Sequence, residues 1–265
     1  MVDICAKVRF STFAAIGPWV RRQNMQKVVF QDLGRMDYQA AWDYQEGLLR
    51  ENVRVKTEAR ERAAAVAGGG EEGILPGTTH YLLFVEHPPV YTLGKSGHME
   101  NVLLDDGAME EKGVEFFRTN RGGDITFHGP GQLVGYPILD LERFRTDLGW
   151  YLRSLEEVGI RVLAEYGIGG DRSAGETGIW IQPGIRGRER KICAMGVRCS
   201  RWITMHGFAL NINTDLSWFG NIVPCGIPDK QVTSLERELG RRVDAEEVKA
   251  RWKNQFEAVF DVTLG

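Results

Sequence analysis

Short β-patterned runs outnumber helical stretches along this chain and do not alternate with them. That irregular order limits the fold more than any other feature. Strand candidates at Tyr81–Glu86, Val90–Leu93, Val114–Arg118, Leu133–Leu139, Gly178–Ile181, Ile192–Val197 and Trp202–Asn213 are bounded by turn residues. Lys27–Phe30 adds a strand pattern ahead of them. Leu148, Tyr151, Leu152, Leu155, Val158, Val162, Leu163 and Tyr166 recur at three- and four-residue spacing, which predicts an amphipathic helix. A second helix is expected to start at Asp37, with Tyr38, Ala41, Trp42, Leu48, Leu49 and Val53 at helical spacing. A third opens on a capping box, Asp244 to Glu247, and turns Val248, Trp252 and Phe256 inward. Doubly wound and barrel folds need regular alternation. The pattern therefore predicts an α+β fold, a mixed β-sheet flanked by helices.

A chain of 265 residues can bury a full core without disulfides or metals. One domain is expected over residues 27–265, with a flexible insertion near 55–78 that includes Gly68-Gly69-Gly70. Residues 1–26 hold one acid, Asp3, against Lys7, Arg9, Arg21 and Arg22, and Gly17-Pro18 interrupts them. They read as a tail, with Met25 as a start and a cytoplasmic location. A presequence for the mitochondrial matrix is the other reading. The 33 basic and 36 acidic side chains leave a charge of −3, so no broad attraction to nucleic acid or anionic membrane is expected. No apolar run approaches the ~20 residues needed to span a bilayer. Cys5, Cys193, Cys199 and Cys225 are scattered without a CxxC pair, which predicts reduced thiols and no zinc site. No cofactor is expected.

Chemistry concentrates in a few segments. Arg121-Gly122-Gly123-Asp124-Ile125-Thr126-Phe127-His128-Gly129-Pro130-Gly131-Gln132 lets backbone approach a ligand closely, with Arg121 and His128 as polar tips. It lacks the GxGxxG fingerprint, and Gly94-Lys95-Ser96 lacks the first glycine of a phosphate loop. In Lys191-Ile192-Cys193-Ala194-Met195-Gly196-Val197-Arg198, strand alternation puts Lys191, Cys193 and Met195 on one face. A lysine on such a face could carry protons. An exposed basic turn with Arg186, Arg188 and Arg190 is the alternative setting for it. Cys225, between Pro224 and Gly226, sits in a turn that suits an accessible nucleophile. His206-Gly207-Phe208-Ala209-Leu210-Asn211 adds a glycine where backbone could line a pocket.

These segments, RGGDITFHGPGQLVGYPILDL, KICAMGVR, HGFALNIN and VPCGI…VTSLE, together resemble the lipoyl(octanoyl) transferase family, in the family's order, from about Val28 to Phe260. The family commonly has Gln, Val and Tyr where this chain has Asp124, Ile125 and Phe127. The resemblance implies a fold like the catalytic domain of biotin and lipoate ligases. It implies transfer of an octanoyl group from octanoyl-acyl carrier protein to a lysine of lipoyl domains. Those acceptors would be the 2-oxoacid dehydrogenase complexes and the glycine cleavage H protein. Carried over, Cys225 is the nucleophile that forms a thioester, and Lys191 activates it and relays protons. Arg121, Gly122, Gly123, Asp124, Ile125, Thr126, Phe127 and His128, with Ala194, Met195, Gly196, Gly207, Phe208 and Ala209, would hold the acyl chain and its carbonyl.

Rival readings stay open. An ATP-dependent lipoate or biotin ligase of the same fold would not need Cys225. A Cys-His thioester hydrolase would use His128 or His206 as base. A non-catalytic fatty-acid or carrier-protein binding module would need neither Lys191 nor Cys225.

Overall fold

The structure is a computed structural model that describes residues 25–67, 77–223 and 231–265. The amino-terminal tail, the glycine-rich segment 68–76 and residues 224–230, Cys225 among them, lie outside those described.

Strand β1 (Gln26–Arg35) leads into helix α1 (Tyr38–Ala67), then β2 (His80–Glu86) and β3 (Val90–Leu93). Helix α2 (Asp106–Glu111), β4 (Glu115–Arg118), β5 (Ile125–His128) and β6 (Gln132–Ile138) follow. Helix α3 (Leu148–Glu165) precedes β7 (Gly170–Asp171), β8 (Ile179–Ile181), β9 (Arg190–Ser200) and β10 (Ile203–Asn211). The chain closes with β11 (Gln231–Val232), α4 (Leu235–Leu239), α5 (Ala245–Phe260) and β12 (Val262–Leu264).

Among the described residues the main sheet runs β12-β1-β2-β6-β10-β9-β8-β7, with β11 pairing to β9. Its β12-β1-β2 end is parallel and the rest of that path antiparallel, the mixed sheet expected. A smaller sheet, β4-β3-β5, stands beside it. Apolar stripes decide which helix covers which face. The Tyr151, Leu155, Val158 and Val162 stripe of α3 and the Val248, Trp252 and Phe256 stripe of α5 bury one face of the main sheet. Trp252 stacks on Phe208 with ring centroids 3.9 Å apart. Helix α1 covers the opposite face through Ala41 and Leu49, against Leu83, Val85, Met205 and Ala209. The helix starts hold their caps: Asp147 accepts from the Trp150 N–H, and Asp244 accepts from the Glu246 N–H.

The structure corrects several expectations. Residues 55–67 are not part of a flexible insertion but the continuation of α1. Lys56 is buried there and pairs with Asp140 at 2.7 Å, which fastens this half of the helix to the sheet. Arg201 and Trp202 form a turn with positive φ, so β10 begins at Ile203. Ile125–His128 was not expected as a strand, yet it pairs with β3 in the small sheet.

Candidate active site

A cavity of about 630 Å³ opens between the small sheet and the β6-β10-β9 face of the main sheet. Its floor is set by strand register. Asn211 faces Gln132, Ala209 faces Val134 on one side and Ala194 on the other, and Gly207 faces Gly196. Each step along this series is two residues, ~7 Å. The middle and far steps on β9 and β10 are Ala and Gly, so a trough runs along the sheet surface.

The Arg121–Asp124 loop and β5 form the opposite wall. Backbone contacts seat the loop: the Gly122 N–H donates to Val197 C=O (2.9 Å), and the Lys95 N–H donates to Arg121 C=O (3.0 Å). Glycine is required on both sides of it. A Cβ on Gly196 would stand 2.7 Å from the Gly122 carbonyl oxygen, and one on Gly94 would stand 2.2 Å from that of Gly123. Arg121 is buried, and its guanidinium donates to Thr92 C=O (2.5 Å), Gly122 C=O (3.0 Å) and Asp124 C=O (2.8 Å). It ties the loop together more than it presents a tip to a ligand. The Asp124 carboxylate accepts from Asn101 Nδ2 (2.7 Å) and the Ile125 N–H (2.7 Å), which gives this departure from the family pattern local partners.

Alternation along β5 divides its residues. Ile125, Thr126 and His128 line the cavity. Phe127, expected at the ligand, stacks instead on Trp218 (5.3 Å) and packs with Tyr91 and Phe219 in a separate core. Gly122 likewise faces β9 rather than the cavity. Gly123, Asp124, Ala194, Gly196, Gly207 and Ala209 line the cavity. Met195 and Phe208 touch the cavity but belong to the main core.

Lys191 needs a correction of another kind. Ile179 pairs with Cys193 and Trp180 with Lys191, so β9 carries one extra residue, Ile192, against β8. This bulge shifts the faces. Cys193 goes into the core, fully buried with its thiol pushed up by burial, whereas Lys191 joins Ala194 at the cavity. Lys191 therefore does not share a face with Cys193. Its Nζ lies 4.6 Å from the centre of the Trp180 ring. Strand β11 pairs Val232 with Lys191, and the Val223 N–H donates to Asn101 C=O (2.9 Å). Val232 is thereby held beside Lys191, and Asn101, which receives the Val223 N–H, also lines the cavity.

The far end holds Tyr38 and Tyr136, which sequence reading did not select, together with His206, weighed there only as the base of a hydrolase. Val134 and Tyr136 lie two and four residues beyond Gln132 on one strand, so alternation within the quoted motif was a usable signal. Tyr38 had none, because an aromatic residue at helical spacing reads as core. His87 must carry its proton on Nδ1, which donates to Met36 C=O (2.7 Å); its Nε2 accepts from the Tyr136 hydroxyl (2.7 Å). Gln132 Nε2 donates to Asn211 Oδ1 (2.9 Å), which leaves its Oε1 to accept from His128 Nδ1 (2.8 Å). Burial drives the histidines down, His87 to about 4 and His128 and His206 to about 3. Such weakly basic rings would be poor general bases near neutral pH, which counts against the Cys-His hydrolase reading. Arg190, read from the sequence as part of an exposed basic turn, forms a two-pronged pair with Glu238 (both 2.6 Å) and is part of the fold.

The description of the lipoyl protein ligase A/B catalytic domain matches residues 37–257. The chain belongs to this family. Octanoyltransferases of Flavobacterium johnsoniae and Christiangramia forsetii are 55% and 51% identical to it, each over 90% of this chain. Those matches cover 99% and 98% of the relatives. Within the lipoyl protein ligase A/B family the protein is thus an acyltransferase by its relatives. The fold of a bipartite lipoate protein ligase from Thermoplasma acidophilum superposes with a TM-score of 0.63 at 17% identity, over 91% of this chain and 86% of that one. A lipoate-protein ligase A bound with ATP gives 0.60 at 14% identity, over 91% and 87%. The expected ligase-like fold is present.

Proposed function

We propose that the protein transfers an octanoyl group from octanoyl-acyl carrier protein to a lysine amine of a lipoyl domain, through a thioester on Cys225. The observation that carries this reading is the trough of Ala and Gly leading away from Lys191. It is shaped for an unbranched chain whose reacting carbonyl stays at the Lys191 end. Burying such a tail contributes at most roughly 5 kcal/mol, at about 0.8 per methylene.

The Cys225 thiolate attacks the carbonyl carbon of the carrier's thioester, a new C–S bond forms, and the carrier thiol leaves. Thioester replaces thioester, so no ATP is consumed. The neutral lysine amine of the lipoyl domain then attacks the same carbon; the C–N bond forms and the Cys225 sulfur leaves. The amine's surplus proton passes to Lys191, whose place at the cavity suits it to take protons from the acceptor and return them to leaving thiols. Backbone N–H groups at the Lys191 end of the cavity would stabilise the oxyanion of each tetrahedral intermediate. Acceptors of this chemistry include the lipoyl domains of 2-oxoacid dehydrogenase complexes and the glycine cleavage H protein.

The test is an intact-mass measurement after mixing the protein with octanoyl carrier protein in the absence of ATP. One octanoyl group should appear on Cys225 and move to a lipoyl domain on its addition. A requirement for ATP would point to a ligase, and free octanoate released in the presence of the lipoyl domain would point to a hydrolase.

A further inference from the structure

Glu156, on α3 beside the apolar stripe that covers the main sheet, is fully buried. A buried carboxylate costs stability unless charges and hydrogen bonds offset the loss of water. Its Oε2 accepts from Arg153 (2.6 Å) and Arg172 (3.1 Å), and both arginines reach solvent. Buried ion pairs are often replaceable by apolar side chains of similar size without loss of stability. Stability alone is therefore not a sufficient reason for a carboxylate at this position.

The other oxygen points to a second reason. Oε1 accepts from the Gly178 N–H (3.1 Å). Gly178 stands immediately ahead of β8 with φ +102, a value that favours glycine. It lies hard against β9, where a Cβ would stand 2.4 Å from the Cys193 carbonyl oxygen. The carboxylate thus holds the backbone at the point where β8 meets β9. One residue later Ile179 pairs with Cys193, and the next pair is Trp180 with Lys191. Ile192 is left over between the two pairs, and this is the bulge that separates Cys193 in the core from Lys191 at the cavity. Without it, alternation would return Lys191 to the Cys193 side, away from the cavity and from the Trp180 ring.

We propose that Glu156 is a positioning residue for acyl transfer. By holding the Gly178 N–H it keeps β8 in the register that bulges β9 at Ile192, and so delivers the Lys191 amine to the cavity. The part played by Lys191 rests on the acyl-transfer reading above.

The experiment follows the Lys191 side chain in the full chain by NMR, alongside single-turnover octanoyl transfer. Lys191 Nζ lies 4.6 Å from the centre of the Trp180 ring. Protons on the adjacent carbon should therefore resonate upfield, and their loss in Lys191→Ala assigns them. Glu156→Met removes the acceptor with little change in volume. It should move these signals to those of an exposed lysine and lower transfer by about ten- to a hundredfold, the usual effect of a small misplacement. Glu156→Asp keeps a charge for the arginines but is one methylene too short to reach Gly178. It should displace Lys191 in the same way, and it decides the matter if Glu156→Met does not fold. Glu156→Gln loses the charge but keeps an acceptor for Gly178, and should retain the upfield signals and most of the transfer.

Unmoved Lys191 signals in folded Glu156→Met or Glu156→Asp protein overturn the proposal. Lys191 signals displaced as far in Glu156→Gln overturn it too, since charge and not the Gly178 bond would then be what matters. Displaced signals in variants of a protein that shows no octanoyl transfer at all would uphold the placement of Lys191 by Glu156 and count against the transferase reading instead.

Discussion

The Lys191 ammonium lies over the buried Trp180 ring, 4.6 Å from its centre, on the strand paired beside it. The ring face attracts a cation and fixes where the side chain ends. Lys191→Ala should leave a folded protein whose octanoyl transfer falls by about 100-fold or more, the lower range for losing a proton-transfer group. Lys191→Arg keeps the charge and the ring contact but does not release a proton near neutral pH, so it should not restore transfer. Single-turnover assays with circular dichroism as a fold control check both.

The cysteines should separate by environment. Cys193 is fully buried in the main core, and Cys193→Ser should cost roughly 1–3 kcal/mol by burying a hydroxyl there, while the acyl adduct still forms. Cys199→Ser should keep the adduct as well. Cys225→Ser should lose productive transfer, because a serine hydroxyl without a dedicated base is a far weaker nucleophile. Intact mass and denaturant unfolding of each variant distinguish these outcomes.

Gly196→Ala probes the wall seated on β9. The added methyl would sit 2.7 Å from the Gly122 carbonyl oxygen and 3.3 Å from Arg121 Cδ, neither of which can yield without moving the loop. Octanoate binding should weaken by about tenfold or more while the unfolding midpoint falls only modestly, since the loop and not the core is displaced. Equal octanoate affinity in the variant would show that the loop seat is irrelevant to the cavity.

These outcomes turn on details that the sequence displays unevenly. Alternation and turn residues located most strands, and the α3 stripe marked its buried face without help. Lys191 was assigned to the wrong face because the bulge at Ile192 depends on how β8 pairs, which no local pattern records. The expectation for Phe127 failed because Ile125–His128 was not read as a strand, and only a strand sends Thr126 and Phe127 to opposite sides. His206 gave no local warning that it would adopt a positive φ in the middle of β10. The Ala- and charge-rich stretch after Val53 looked like an insertion, yet the buried Lys56–Asp140 pair holds it as helix.

Acid should unfold this protein through its histidines. His80 and His87 are lowered to about 4 and His128 and His206 to about 3, in each case mainly by burial. In the unfolded chain each would titrate near 6.5. Below that pH the unfolded state binds protons that the folded state refuses, so stability rises with pH through this range. It should be fully present above about pH 7 and fall progressively from pH 6.5 toward 4 and 3. Denaturant titrations across that range should show it, with proton uptake on unfolding near pH 5. A flat profile there would mean that these rings are solvated or charged in the native state.

The cavity floor has one property that reaches beyond any single assay. Gly196 and Gly207 have no side chain to lose, and Ala194 and Ala209 have a single methyl each. A larger residue at Ala194 or Ala209 raises the floor, and a side chain at Gly196 or Gly207 runs into the neighbouring backbone at Gly122 or Gly135, so almost no replacement lowers it. Variation in descendants of this chain is therefore asymmetric: one mutation suffices to shorten the accommodated group, whereas accommodating a longer one demands coordinated retreat of the walls. A lineage that has drifted toward short substrates should find the return path closed to single steps.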